Sequence, residues 1–327
     1  MTLKGKRVLV TGAGGFIGSH LTERLVEMGA DTTALVRYNS CSNRGWLEQS
    51  RHAKNIKFEF GDIVDQSFVR SIVKDQDYVF HLAALIGIPF SYVAPNYYVA
   101  TNVQGTVNIV EAVRDFGVSR LLTTSTSETY GTARTTPIRE DHPMQPQSPY
   151  SASKIAADNL AQSFYLSFDT PVTIVRPFNT FGPRQSARAI IPTIISQLLT
   201  QDQLSLGSLS PTRDLNYVGN TVDGFIAAAL SDKAIGETIN FGFGKEISIG
   251  DLAQLIMQIM GKKVEIVTEE VRLRPEKSEV FRLISDNSRA KEITGWEPKI
   301  GLKEGLTETI HWLEKNISRY RPNEYAR

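Results

Sequence analysis

The sequence of 327 residues contains a single cysteine, Cys41, five histidines and almost no net charge. One cysteine excludes an intrachain disulfide and a metal site built from several thiolates. The histidines are scattered without the spacing of metal ligands, so no metal site is predicted. A formal net charge of +1 argues against nucleic acid or an anionic membrane as the main partner.

Long apolar runs are also missing. No stretch approaches the length that would cross a membrane, and the first residues reach the glycines without an apolar leader. The apolar fraction of 41% and the charged fraction of 22% are ordinary for a globular protein. We therefore expect a cytoplasmic protein with no membrane or nucleic-acid partner and a large core, as one large domain or two modest ones.

A glycine-rich turn follows the first predicted strand. The β-branched run RVLV predicts a strand, and SHLTERLVEMGA predicts a helix because its apolar residues recur on one face. The turn between them, from Gly12 to Gly18, places backbone N–H groups and a helix N-terminus where a pyrophosphate can bind. The alternative is a tight strand-to-helix turn in which glycine only supplies a positive φ.

Further strands alternate with helical stretches along the first half of the chain. The predicted strands are TTALV (32–36), IKFEFGD (56–62), DYVFHLAA (77–84) and SRLLTTST (119–126). This alternation predicts an α/β fold with a doubly wound parallel sheet of the Rossmann type, which favours the dinucleotide interpretation of the glycine turn. His81 lies within an apolar strand end and is expected to be packed there, not to act as a catalyst or metal ligand.

The end of the second strand bears on the type of dinucleotide. An acidic residue there would bind a ribose 2′-hydroxyl, whereas an arginine suits a 2′-phosphate. The chain has Arg37 at this point and no acid, so NADP is favoured over NAD; the alternative for Arg37 is a solvated surface charge. Asp62 ends the third strand and is either a contact to the adenine or a turn former.

Two tracts carry side chains suited to proton transfer. TSTSETYG ends the fifth strand at the sheet edge where ligands bind, and PYSASK opens a predicted helix. Tyr150 and Lys154 are four residues apart and share one helix face, so we expect the ammonium to lower the pKa of the phenol. Glu128 is the ionisable acid of the first tract; the alternative is a solvated turn carboxylate.

Together the motifs resemble a known family. TGAGGFIGSHL, GDI, HLAA, TSTSETYG, PYSASK, RPFNTFGPRQ, TRDLNYV and GWEPKIGLKEGL are similar to the extended short-chain dehydrogenase/reductase family of nucleotide-sugar enzymes, over nearly the whole chain. TSTSETYG, RPFNTFGPRQSARAIIPTII and RLRPEKSEV most resemble 4,6-dehydratases that act on UDP-N-acetylglucosamine in pathways to legionaminic and related nonulosonic acids.

The resemblance implies a reaction cycle on a tightly bound, recycled nicotinamide cofactor. It implies that Tyr150, Lys154 and Thr126 oxidise the sugar at C4, and we assign Glu128 as the base at C5. The residues expected to bind the cofactor are Gly12, Gly15, Phe16, Ile17, Gly18, Arg37, Asp62, Ile63, Leu82, Ala83, Ala84, Tyr150 and Lys154.

The resemblance also implies where the substrate binds. It predicts a dinucleotide-binding domain with the catalytic residues over 1–178, and a smaller, interleaved nucleotide-sugar domain over 179–327. The UDP-sugar diphosphate is expected to meet Asn179, Arg213 and Arg274, with Arg188 and Lys277 as weaker candidates; the alternative for Arg213 is an ion pair with its neighbour Asp214. A homodimer through helices near residues 102–116 and 150–168 is implied as well.

Ser127 departs from the pattern of better-known 4,6-dehydratases, which have an aspartic acid before the glutamate. Serine is a poor acid at neutral pH, so Glu128 carries the proton in both directions or another group helps. A dehydratase that releases a 5,6-alkene and a UDP-glucuronate decarboxylase share this arrangement. A non-catalytic dinucleotide-binding regulator is the alternative from a different class. In such a protein, Tyr150, Lys154 or Thr126 would be expected to be replaced by other residues, and all three are present.

Overall fold

The computed structural model describes residues 2–272 and 275–320. Its strands are β1 (Arg7–Thr11), β2 (Asp31–Arg37), β3 (Ile56–Gly61), β4 (Tyr78–His81), β5 (Arg120–Thr124), β6 (Val172–Pro177), β7 (Asn179–Phe181), β8 (Gln203–Leu206), β9 (Thr212–Tyr217), β10 (Thr238–Phe241), β11 (Glu246–Ser248) and β12 (Glu265–Thr268). Its α-helices are α1 (Phe16–Glu27), α2 (Gln66–Val73), α3 (Ile88–Val93), α4 (Pro95–Tyr98), α5 (Gly105–Phe116), α6 (Pro149–Phe168), α7 (Ile190–Thr200), α8 (Val218–Leu230), α9 (Ile249–Met260), α10 (Ser288–Thr294) and α11 (Leu302–Asn316).

The main sheet has seven strands in the order β3-β2-β1-β4-β5-β6-β10, and neighbouring strands are parallel. Side chains of β1 alternate between two apolar clusters: Val8 and Val10 pack with α1, α7 and α8, whereas Leu9 packs with α2 and α5. Helices therefore cover both faces of the main sheet, which explains why the sequence of β1 is a continuous apolar run. The predicted Rossmann-like α/β fold is confirmed.

Two predicted strands end earlier in the structure. β4 ends at His81 instead of Ala84, because the Leu82 N–H is shared between the carbonyl and the hydroxyl of Thr11, and the Ala83 N–H donates to that hydroxyl. β5 ends at Thr124 instead of Thr126, because Thr126 caps a 3₁₀ turn over Ser127–Tyr130. Both strands are therefore followed by loops at the carboxyl edge of the sheet.

A three-stranded sheet, β11-β9-β7, continues from the ends of two neighbouring strands of the main sheet. β7 follows β6 after one residue, and the chain passes from β10 to β11 through residues 242–245. The domain boundary predicted at residue 178 falls in the β6–β7 connection, and the division into two domains stays a prediction. A third pair, β8 with β12, lies in the same half of the chain.

Candidate active site

One cavity of about 890 Å³ lies at the carboxyl ends of the main-sheet strands. Its wall contains every predicted cofactor-binding and catalytic residue together with three of the predicted substrate contacts, Asn179, Arg188 and Arg213. Lys277 is exposed and does not line the cavity, and Arg274 lies outside the described residues. The fold thus brings together side chains that are up to two hundred residues apart in the sequence.

The glycine turn brings backbone close to the cavity. Gly12 has a φ of +68°, and a Cβ there would lie 2.8 Å from the backbone nitrogen of Ala83. A Cβ on Gly18 would lie 2.2 Å from the carbonyl oxygen of Gly12, so the first turn of α1 packs directly on the turn. Gly15 caps α1 without a side-chain hydrogen bond. The helix N-terminus therefore offers its N–H groups to an anion in the cavity.

His81 holds the loop opposite the glycine turn. Its Nδ1 is 2.8 Å from the hydroxyl of Thr11, and its Nε2 is 3.1 Å from the hydroxyl of Thr106. Because Thr106 donates its proton to the carbonyl of Asn102, Nε2–H is the donor and Nδ1 accepts from Thr11. Burial, with the Lys154 charge as a smaller cause, lowers the pKa of His81 to about 3. A neutral imidazole therefore positions the Thr11 hydroxyl that binds the 82–83 backbone.

Arg37 and Asp62 face each other at the ends of β2 and β3. The Arg37 Nε lies 3.8 Å from Asp62 Oδ2, and its guanidinium carbon lies 5.6 Å from the centre of the Tyr97 ring. Asp62 Oδ1 also accepts the backbone N–H of Val64, so this residue forms the turn and lines the cavity at once. An exposed arginine at this edge can bind a phosphate on a ribose.

Tyr150 and Lys154 project from the start of α6. Ser148 and Ser151 form a capping box around Pro149, which fixes where the helix begins. Tyr150 is hydrogen-bonded with Thr126, whereas Lys154 Nζ donates to the carbonyl oxygen of Thr124 at 2.5 Å. The two side chains therefore contact the end of β5 and the turn after it from one face of α6.

The pKa of Tyr150 moves opposite to the predicted direction. Burial raises this pKa, the hydrogen bond with Thr126 lowers it, and the Glu128 charge raises it. The Lys154 ammonium is turned to the Thr124 carbonyl, and burial lowers the pKa of Lys154. The expectation that this ammonium lowers the tyrosine pKa is therefore wrong for this arrangement, since burial outweighs the opposing contribution.

Glu128 lies in the 3₁₀ turn after β5 and lines the cavity, half-buried. Its backbone N–H donates to the Thr126 hydroxyl at 3.2 Å, so the turn ties the carboxylate-bearing residue to the hydroxyl that bonds Tyr150. Ser127, between them, is buried and also lines the cavity. The Glu128 carboxylate, the Tyr150 phenol and the hydroxyls of Thr126 and Ser127 thus belong to one part of the cavity wall.

Arg213 pairs with a different acid from the one its sequence neighbour suggests. Its Nη2 lies 3.3 Å from Glu279 Oε1, and both residues line the cavity. Asp214 points the other way, where its carboxylate accepts the backbone N–H groups of Phe243, Gly244 and Ser285. The proposed ion pair between the two neighbours does not form, because adjacent residues of β9 face opposite sides of the strand.

The rest of the cavity wall has polar groups suited to a second ligand. Asn179 Oδ1 and Gln185 Oε1 are buried without a hydrogen-bond partner, and both residues line the cavity. Sequence reasoning missed Gln185, Glu279 and Arg272. Arg272 begins the stretch RLRPEK, in which only Arg274 and Lys277 were predicted to contact the substrate. The basic residues of this stretch could have pointed to Arg272 as well. Buried orphan acceptors of this kind are satisfied by a bound partner or water.

Within residues 2–272 and 275–320, no cluster of histidine, cysteine and acidic side chains is arranged to hold a metal ion. Over the same described part of the chain, no helix has the length and apolarity needed to cross a membrane.

Curated relatives match almost the whole chain. A dTDP-D-glucose 4,6-dehydratase of Mus musculus is 33% identical over 98% of this chain and 92% of its own length. A UDP-glucose 4-epimerase of Mycolicibacterium smegmatis is 35% identical, covering 94% and 98%. UDP-glucuronic acid decarboxylase 1 of Xenopus tropicalis is 31% identical, covering 98% and 75%.

Solved structures share the same fold. Pal from Bacillus thuringiensis superposes with a TM-score of 0.86 at 33% identity, covering 95% of this chain and 99% of that one. DesIV, a dTDP-glucose 4,6-dehydratase from Streptomyces venezuelae solved with NAD and TYD bound, gives a TM-score of 0.88 at 27% identity, covering 97% and 100%.

The sheet order, the glycine turn and the Tyr150–Lys154 pair define a Rossmann-like protein of the extended short-chain dehydrogenase/reductase class. Within that class, residues 9–309 match the GDP-mannose 4,6 dehydratase family model, and the chain belongs to this family. Its relatives are nucleotide-sugar 4,6-dehydratases, 4-epimerases and decarboxylases. The family resemblance in the sequence is confirmed.

Proposed function

We propose that the chain is a nucleotide-sugar 4,6-dehydratase that converts UDP-N-acetylglucosamine to a UDP-4-keto-6-deoxy sugar. The observation that carries the proposal is the position of Glu128, in the same cavity wall as Tyr150 and one hydrogen bond from Thr126. A simple epimerase needs no carboxylate at this point, whereas elimination of water requires a base for the C5 proton.

The glycine turn fits a nicotinamide dinucleotide, because side chains at Gly12 and Gly18 would collide with the backbone of Ala83 and Gly12, so glycine keeps the turn tight and its N–H groups open to a pyrophosphate. Arg37 would hold a ribose 2′-phosphate, which supports NADP over NAD. Asp62, Ile63 and the 82–84 loop would enclose the adenine side, and Lys154 the nicotinamide ribose. A nicotinamide bound there would supply a hydride acceptor for C4 and a hydride donor for C6, with no net consumption of the cofactor.

In the oxidation step, Tyr150 takes the proton of the sugar 4-hydroxyl. Thr126 donates a hydrogen bond to the developing oxyanion, and the Lys154 ammonium stabilises the tyrosinate once its proton leaves. Because burial raises the pKa of Tyr150, the resting phenol has to lose its proton to solvent before the tyrosinate can act as this base, and the positive charge of Lys154 would favour that loss.

In the elimination step, Glu128 removes the C5 proton that the 4-ketone has acidified. The 6-hydroxyl leaves as water when it receives a proton, and Glu128 carries that proton because the buried Ser127 hydroxyl is a poor acid. Glu128, again a carboxylate, then takes up a proton from solvent and delivers it to C5, where a hydride returned to C6 would complete the cycle. Ser127 contributes a hydrogen bond to the leaving oxygen.

The substrate diphosphate would lie between Arg213 and Asn179, with Arg188 and Arg272 nearby in the same wall. Guanidinium forks suit phosphate oxygens, and the buried Asn179 carbonyl oxygen can accept from a sugar hydroxyl.

A homodimer through α5 and α6 is also proposed. Phe116 on α5 and Leu166 and Phe168 on α6 are exposed, with Leu166 73% accessible. Large apolar side chains gathered on adjacent helices mark a surface that another protein surface covers. Size-exclusion chromatography with light scattering tests this pairing, and a monomer would refute it.

The experiment that tests the function is incubation with UDP-N-acetylglucosamine in deuterated water, followed by NMR of the product. A 4-keto-6-deoxy sugar with deuterium at C5 is the expected result. An accumulating 5,6-alkene would overturn the hydride-return step, and loss of carbon dioxide from UDP-glucuronate, seen by mass spectrometry, would establish a decarboxylase instead. Turnover unchanged in Tyr150→Phe would refute the oxidation mechanism.

A further inference from the structure

An ion pair is buried beneath the segment that carries Thr126 and Glu128. The guanidinium of Arg176 on β6 places Nη2 at 2.8 Å and Nε at 3.2 Å from Oδ2 of Asp158 on α6, and both residues are almost completely buried. Two charges buried together are costly unless they are paired and hydrogen-bonded, so such a pair needs further partners.

The first partner is Ser125. Its hydroxyl donates to Asp158 Oδ2 at 2.5 Å and lies 3.4 Å from Arg176 Nε. Ser125 stands between Thr124, whose carbonyl accepts from Lys154, and Thr126, which bonds Tyr150. The ion pair therefore holds the residue that lies between the two that contact Tyr150 and Lys154.

The second partner is Tyr130, at the other end of the 3₁₀ turn. Arg176 Nη1 donates to the Tyr130 hydroxyl at 2.9 Å, and that hydroxyl donates to Asn240 Oδ1 on β10 at 2.8 Å. The guanidinium carbon also lies 5.0 Å from the centre of the Tyr130 ring, which is fully buried. One arginine thus contacts both ends of the segment that contains Glu128.

We propose that the Asp158–Arg176 pair is a positioning element that clamps the Ser125–Tyr130 segment at both ends and so sets the place of Thr126 and Glu128. The inference rests on the proposed function and adds four positioning residues to it: Ser125, Tyr130, Asp158 and Arg176. None of them needs to touch the reacting atoms, because each acts through the turn it holds.

The two ends serve different steps. Ser125 adjoins Thr126, so its anchor governs the contact with Tyr150 and hence the oxidation at C4. Tyr130 is two residues beyond Glu128, so its anchor governs the carboxylate and hence the elimination. Asp158 also lies one helical turn after Lys154, and its charge raises the pKa of Lys154 against the effect of burial.

Ser125→Ala and Tyr130→Phe test the clamp, since both leave the ion pair intact. Rapid mixing with UDP-N-acetylglucosamine follows reduced nicotinamide by absorbance, and deuterium incorporation at C5 follows elimination. Ser125→Ala is expected to slow cofactor reduction about 100-fold, the cost of a misplaced reacting group. Tyr130→Phe is expected to leave reduction within a few-fold of wild type and to slow C5 exchange about 100-fold.

Matched controls remove buried hydroxyls elsewhere. Ser196→Ala removes a hydroxyl that bonds within α7, and Tyr217→Phe removes a phenol that bonds Glu308, neither of them lining the cavity. Both controls are expected to keep wild-type rates for the two steps. Equal slowing of both steps in Ser125→Ala and Tyr130→Phe would refute the division between the ends.

Amide hydrogen exchange tests the clamp without any substrate. Residues 124–131 are expected to exchange at least tenfold faster in Ser125→Ala and Tyr130→Phe than in wild type and in both controls. Unchanged protection would overturn the clamp. If the wild-type protein does not reduce its cofactor with any nucleotide sugar, the proposed function fails. The hydrogen-exchange result still decides whether the Asp158–Arg176 pair holds the segment.

Discussion

The Arg37 guanidinium lies 3.8 Å from the Asp62 carboxylate, across the ends of β2 and β3. The sequence suggested separate roles for them, one at a ribose phosphate and one at an adenine. Their proximity means that the carboxylate of Asp62 balances the charge of Arg37, while the exposed guanidinium remains accessible to a phosphate.

Replacing this arginine should therefore change the choice of dinucleotide. Arg37→Ala is expected to weaken NADP binding by roughly 10- to 100-fold, as for loss of a charge-assisted hydrogen bond, and to leave NAD binding nearly unchanged. Isothermal titration calorimetry with both dinucleotides measures the ratio. Arg51→Ala, an exposed arginine paired with Glu27, is the control. Equal weakening of both dinucleotides would contradict a 2′-phosphate contact.

Glu128→Gln should separate oxidation from elimination. The amide keeps the shape of the side chain but cannot take the C5 proton, so overall turnover is expected to fall about 10²- to 10⁴-fold. Reduced nicotinamide should accumulate to a visible absorbance, because Tyr150 and Thr126 are unchanged. No accumulation would show that Glu128 acts before or during the oxidation.

Ser127→Ala tests whether the leaving hydroxyl has a separate acid. If Glu128 carries the proton in both directions, this variant loses only a hydrogen bond, and kcat is expected to fall by less than about tenfold. Steady-state kinetics beside Glu128→Gln gives the comparison. A loss as large as that of the glutamate variant would place the serine in the proton path.

His81 gives a pH dependence of stability with a defined sign. Its pKa falls from 6.5 to about 3 on folding, so the folded state disfavours the proton. Its contribution is complete above pH 6.5 and is lost as pH falls toward 3, at up to about 1.4 kcal/mol per pH unit. Thermal unfolding of wild type and His81→Gln across this window measures it. A variant slope as steep as that of wild type would exclude His81 as the cause.

Gly18→Ala probes the close packing of the glycine turn. The added Cβ would meet the Gly12 carbonyl at 2.2 Å, so the turn must shift, with an expected loss of about 1–3 kcal/mol and weaker dinucleotide binding. Gly301→Ala is the control, because Gly301 is the N-cap residue of α11 and a Cβ added there would have no atom within 4 Å. Thermal unfolding and calorimetric titration compare them, and equal behaviour of the two variants would refute the packing argument.

Local sequence patterns predicted the parts of this molecule that depend on neighbours in the chain. The alternation of apolar runs predicted the doubly wound sheet, and the four-residue spacing of Tyr150 and Lys154 predicted one helix face. The partners of Arg213 and Arg176 could not be predicted, because Glu279 and Asp158 lie on other elements and only the folded chain brings them near. The direction of the shift in the Tyr150 pKa depends on burial, which the spacing of residues in the sequence does not reveal.

The placement of β10 beside β6 governs how the cavity can change shape. The small sheet grows from the ends of both strands, so the sugar side of the cavity is joined to the dinucleotide side by two adjacent, hydrogen-bonded strands. A hinge motion between the two sides would have to bend two connections at once, at Phe178 and at residues 242–245, because both follow paired strands. A mutation that stiffens either connection should therefore slow the exchange of ligands without altering the chemistry.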